Sequence, residues 1–239
     1  QWEFLKGIMT MFNIVSMPDK NNPLNIIFET YADVFIDNAD SKQLDWTEKV
    51  DVSEMKLLPL TDLNKQTIFK FVEDDDDYAF NLYKKSTQHL YGSKKYDASA
   101  YTILEGEDEI IATPFAASIP MPLDDQFSDF IVPAIFTSND AETEFEGFEN
   151  SPRIMYDNGK QLLNAGVTYY IPEQNGLASE NQANFLQFSH LSNIPTLTGT
   201  RDFNFETHQL INPIGPPVPD NLFNLYWLPY YNELYNPNT

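Results

Sequence analysis

The chain has 239 residues, 42% apolar and 14% aromatic, enough to build a real core and to exclude global disorder. Its 36 acidic residues against 14 basic ones give a net charge of −22, which argues against binding nucleic acid through a phosphate-neutralising face and favours a basic partner. Cysteine is absent, so neither a disulfide framework nor a thiolate metal site exists, and no run of about eighteen apolar residues marks a transmembrane helix.

The start, Gln1 to Gly7, has no Met and no basic region with a small-residue cleavage site, and the reading expected is a piece of a longer polypeptide. Trp2, Phe4, Leu5, Ile8, Met9, Met11 and Phe12 recur at helical spacing and predict a short amphipathic helix to about Asn13. Gly7 weakens that helix, so its stability must come from the surface it covers. A turn cluster, Met17 to Pro23, precedes a strand over Leu24–Phe28 and a second apolar run, Tyr31–Ile36. Asp45 to Asp51 reads as a surface turn with Trp46 tucked inwards. Lys56–Leu60 and Thr67–Val72 read as strands, the second alternating Ile68, Lys70 and Val72 against Phe69 and Phe71.

Glu73 to Asp77 is a run of five carboxylates. Calcium takes oxygen ligands, but this run lacks the alternation, mid-loop Gly and terminal Glu of an EF-hand, so a solvated strand-to-loop corner is the better reading. Lys84, Lys85, Lys94 and Lys95, interleaved with Tyr83, Tyr91 and Tyr96, form the basic concentration of the chain. They read as a polar loop or β-ribbon contacting an acidic neighbour, such as another copy of the chain. Glu105–Ala112 and the residues to Ser118 close the first half as a strand, and Ile119–Asp125, with two prolines, is the expected domain edge. Two β-rich domains follow, 1–118 and 119–239.

In the second half, Phe130–Phe136 reads as an edge strand broken by Pro133. Asp140–Asn150 reads as an exposed loop anchored by Phe145 and Phe148. Pro152 to Gly159 predicts a strand ending in an Asn-Gly hairpin turn, with Val167–Ile171 as its return. Gly176–Ser192 mixes strand and loop, and Asn212 to Pro219 is an extended spacer. It leads into Phe223, Tyr226, Trp227, Tyr230, Tyr231 and Tyr235, whose spacing predicts a helix that Pro229 must kink or divide. Burial on a core and docking to a neighbour both suit such residues. Phe223, Tyr226, Trp227, Tyr230, Tyr231 and Trp46 are therefore the interface candidates.

No catalytic signature emerges. His89, His190 and His208 show no metal-ligand spacing, and there is no nucleophile elbow, phosphate loop or dinucleotide fingerprint. A pair of carboxylates for glycoside hydrolysis has no discriminating power among 36 acidic residues. The expectation is a non-enzymatic protein with no catalytic, cofactor or metal residues.

Five phrases taken in order carry a resemblance: Phe4 to Asn13, Asp45 to Asp51, Glu73 to Tyr78, Pro152 to Gly159, and Leu222 to Trp227 continuing through Glu233 to Pro237. Together they resemble structural tail proteins of tailed bacteriophages, in particular the β-rich baseplate or tail-hub proteins of phages infecting Bacteroidetes and marine bacteria. The resemblance implies a ring-forming virion component, assembled in the host cytoplasm, whose partners are copies of itself and neighbouring tail proteins. It implies no catalytic residues.

The fold expected is mainly β, of barrel or sandwich modules with short helices near both ends, or alternatively α+β. The rival functions are a receptor- or carbohydrate-binding part of a tail fibre and a tail-associated hydrolase.

Overall fold

The computed structural model describes residues 2–37, 45, 48–49, 51–54, 56, 62–122, 131–139, 143–162, 168–173, 178–193, 196–206 and 217–235. The chain is strand-rich with few short helices, and its described strands form one three-stranded and six two-stranded sheets. Trp46, the Leu57–Leu60 part of one expected strand, residues 123–125 of the expected linker and residues 212–216 of the expected spacer lie outside the described residues.

The three-stranded sheet holds the centre. Its middle strand, β3 (Asn64–Val72), pairs antiparallel with β4 (Lys94–Asp97) and parallel with β5 (Glu105–Ala116). The alternation read in the sequence sets its faces: Thr67, Phe69 and Phe71 point into the core, while Ile68, Lys70 and Val72 lie half-buried on the other side. Helix α1 (Trp2–Met11) lies on β5, and Gly7 is the reason it can. A Cβ there would press on the Thr113 carbonyl oxygen and come within 2.7 Å of the Phe115 ring. The residue that weakens the helix is thus the one that lets it dock.

After α1, β1 (Ile14–Pro18) and β2 (Ile26–Thr30) form a hairpin, pairing Ile14 with Thr30 and Pro18 with Ile26. The apolar run that follows is wound as a π-helix, Ala32–Ile36, with the Asp37 N–H bonded to the Ala32 carbonyl.

Helix α2 (Tyr78–Thr87) stands where a polar loop or β-ribbon was expected. Asp77 starts it: Oδ1 accepts the Phe80 N–H at 3.1 Å, while Ala79, Phe80 and Tyr83 bury one face. The expected solvated acidic corner holds at Asp75 and Asp76, which are exposed, and is corrected at Asp77, which is only 1% exposed because it caps the helix. The nearby lysines also find partners within the chain: Lys84 meets Glu73, Lys94 meets Glu206 and Lys95 meets Glu107.

The remaining strands are short. β6 (Ile119–Pro122) pairs with β7 (Ile131–Ala134), and β8 (Thr137–Ser138) with β9 (Phe145–Glu146). β10 (Tyr156–Leu162) pairs with β13 (Asn184–Ser189), and β11 (Tyr169–Ile171) with β12 (Glu180–Gln182). β14 (Arg201–Asp202) runs parallel to β15 (Asp220–Asn221). The expected Asn158-Gly159 hairpin turn is a bulge instead. β10 continues through it, the register slips between Asp157 and Lys160, and Gly159 supplies the positive φ of 72°.

The expected boundary at 118/119 does not divide two cores. Residues 115–120 are buried without a break, whereas a linker would be exposed. One cluster joins Met11, Phe69, Phe71 and Phe115 from the first half to Ala134, Phe205, Leu222, Phe223 and Tyr231 from the second.

An ion network fastens the same halves together. Arg153, 3% exposed at its side chain, places Nη2 at 2.9 Å from both Asp74 Oδ2 and Asp77 Oδ2. Its Nε donates to the Ala117 carbonyl at 3.2 Å. Ser151 donates its hydroxyl to Asp74 at 2.6 Å. Burial pushes the Asp77 carboxyl up despite the Phe80 N–H and Arg153, which both oppose it.

Candidate functional site

The aromatic segment near the C-terminus forms one helix with two windings. Phe223–Trp227 is π-wound and continues as α3 (Leu228–Tyr235). Pro229 accounts for the change: it has no N–H to donate, and its ring would clash with the carbonyl four residues back in a tight α-turn. The preceding turn widens, and the Leu228 N–H bonds to the Phe223 carbonyl five residues back.

The winding also aligns the rings. Phe223, Trp227, Tyr231 and Tyr235 recur every four residues, and a plain α-helix would rotate by about 40° at each such step. The wider turn takes up part of that drift, so all four face the central sheet. Phe69, wholly buried, is their meeting point, with ring centroids 5.1 Å from Phe223, 5.0 Å from Trp227 and 5.5 Å from Tyr231. Tyr96 closes the row at 4.5 Å from Tyr231 and 5.2 Å from Tyr235. Polar tips are tied to backbone: Trp227 Nε1 donates to the Thr10 carbonyl at 3.0 Å, and the Tyr235 hydroxyl to the Asn64 carbonyl at 2.9 Å.

The interface candidates therefore divide. Phe223 and Tyr231 are spent inside the chain's own core, a correction for these two, because the sheet supplies the aromatic partners they need. Tyr226 and Trp227 are half-buried against the end of α1 and the residue after it, where Tyr226 meets the Phe12 ring at 5.1 Å. Tyr230 turns to the other side and meets Tyr31 at 4.8 Å. Trp46 lies outside the described residues.

Tyr31 opens the part of the site that the sequence did not mark. Its ring packs on Phe35 at 4.8 Å, and its hydroxyl donates to Glu233 Oε2 at 2.9 Å. Burial, reinforced by that carboxylate, pushes its phenol up to about 12. Beside it, a shallow cleft of about 370 Å³ is lined by Ile36 of the first π-helix and by Asn224, Leu228, Pro229, Asn232 and Glu233. The floor is aliphatic and the rim carries amides and one carboxylate. Such a surface can hold an apolar side chain with a polar or cationic neighbour. It presents no nucleophile and base in contact.

One histidine is drawn into a buried network. His190 lies with Nδ1 at 2.8 Å from Asp202 Oδ1 and Nε2 at 2.9 Å from the Tyr91 hydroxyl. Burial pushes the Tyr91 phenol well up, and Asp202 adds to it. Asp202, Tyr91 and the neighbouring Asn204 are all buried, and the set holds the Gly92 turn against β14. Gly92 has a φ of 74° and lies where a Cβ would come 2.6 Å from Asn204 Oδ1. Among the described residues, no group of His, Asp and Glu side chains is arranged to hold a metal ion, and no helix is long and apolar enough to cross a membrane.

Comparison with protein-family models, with curated proteins and with solved structures finds no match to this chain.

Proposed function

We propose that this chain is a non-enzymatic structural subunit of a bacteriophage virion tail, a baseplate or tail-hub protein that joins copies of itself and neighbouring tail proteins. The observation that carries the reading is a set of narrow ribbons with apolar faces turned outward. Ile26 and Phe28 are exposed on one face of β2, and Leu186 and Phe188 on one face of β13, with Leu162 exposed on its partner β10. An isolated two-stranded ribbon is marginal in water, and exposed apolar residues at alternate positions mark a surface suited to a neighbour. The sequence resemblance supplies the tail as the setting, and a −22 charge suits a channel through which DNA passes without sticking.

Copies of so acidic a chain repel one another. Assembly through apolar faces should therefore strengthen as salt screens that repulsion. Light scattering of the purified protein over a salt series, with electron microscopy of the products, tests this. The expected result is a rising mass that ends in rings. A monomer at every salt concentration contradicts ring formation, and one that also binds a glycan array favours the receptor-binding reading.

A further inference from the structure

We infer that the cleft between the two π-wound turns is a docking groove for a cationic, apolar-sided segment of a different protein, an inference that rests on reading the chain as an assembly subunit. Ala32–Ile36 and Phe223–Trp227 are the π-helical segments among the described residues, and both reach the cleft, through Ile36 and Asn224. A π-turn is rare, and where one occurs it is frequently at a functional site. Pro229 explains the second of these turns; no proline follows the first within its own span.

The cleft's chemistry selects the occupant. Ile36, Leu228 and Pro229 offer aliphatic surface, and the volume of about 370 Å³ suits a few side chains of a peptide. The charge on the elements that build it has one sign: residues 21–37 and 217–235 include Glu29, Asp33, Asp37, Asp220 and Glu233, and no Lys, Arg or His. Complementarity then requires cations interspersed with apolar side chains. A second copy of this chain fits poorly, since it carries 36 acidic residues against 14 basic ones. Its net charge of −22 adds repulsion.

The test titrates the whole chain into fluorescein-labelled peptides and follows anisotropy at near-physiological salt. The probe alternates Lys with Leu and Phe; one control replaces Lys with Glu, another replaces Leu and Phe with Ser. The probe should saturate, with both controls weaker by about tenfold or more. Ile36→Ser should weaken the probe about tenfold, and Glu233→Gln should weaken it and flatten its salt dependence. Asn232→Arg, at an exposed rim position, serves where Ile36→Ser does not fold, and should weaken the probe similarly. Absence of saturation up to about 1 mM, a force of only about 4 kcal/mol, overturns the inference. So does equal binding of the Lys/Ser control, or binding unchanged in the folded variants, since either means unselective attraction to an acidic protein. A chain that forms rings yet shows no such selectivity leaves the assembly reading standing and removes the groove.

Discussion

Arg153 holds Asp77 at 2.9 Å across the expected domain boundary, joining the strand-rich second half to the N-cap of α2 in the first. Both side chains are almost wholly buried, so neither charge can fall back on water. Arg153→Met leaves Asp74 and Asp77 without their cation and should cost about 3 to 5 kcal/mol. Asp77→Asn keeps an oxygen for the Phe80 N–H and leaves Arg153 with Asp74, and should cost less, about 1 to 2 kcal/mol. Urea denaturation of the two variants checks the order. Equal losses would mean that the ion pair is not what holds the halves.

Phe69 should be the most sensitive apolar position tested. It is wholly enclosed by Phe205, Phe223, Trp227 and Tyr231, and Phe69→Ala should cost about 3 to 5 kcal/mol. That is a large share of the stability of an ordinary domain, so the variant should melt much earlier or accumulate unfolded. Leu162→Ala, on an exposed strand position, should change the melting temperature little in the monomer.

Gly7→Ala reverses the usual helix ranking. Alanine favours a free helix by about 1 kcal/mol. Here the added methyl meets the Thr113 carbonyl, which is backbone and cannot swing aside, and the Phe115 ring. Net destabilisation of about 1 to 3 kcal/mol is expected from this overpacking. A gain in melting temperature would mean that α1 does not lie on β5 in solution.

Alkaline pH should expose the aromatic core. Burial pushes the Tyr231 phenol up to about 12 from an ordinary value near 10.0. The folded state therefore favours the protonated phenol. Its contribution is full below pH 10 and is lost as pH rises towards 12, because the unfolded chain ionises first. The shift corresponds to roughly 2 to 3 kcal/mol for this one group. Tyr231→Phe should flatten that part of the decline, which denaturation at a series of alkaline pH values reads directly.

Much of the central sheet was legible in the sequence. The alternation around Phe69 and the helix over Trp2–Met11 are local patterns, and local physics decided them; Pro229 changes the winding of its helix and does not divide it. Helix α2 was legible in principle, with Asp77 as cap and Ala79, Phe80 and Tyr83 on one face. The acidic run and the flanking lysines obscured it. Asn158-Gly159 misled because a positive φ at Gly159 serves a bulge as well as a turn; the choice depends on β13, over twenty residues away. In the site, the aromatic spacing announced the helix, but not which rings face inward. That depends on Phe69 and Tyr96, supplied by strands far off in the chain. The cleft was the least legible part, because Tyr31–Ile36 shows as an apolar run and nothing in it reports the π-winding.

A structural part of a virion tail, as proposed, should be found on the particle. Electron microscopy of tailed virions labelled with a gold-conjugated antibody against the chain tests it most directly. Gold is expected at the tail or its baseplate end, on intact particles. Virions that carry no label, from cells in which the antibody readily detects the protein, would contradict it.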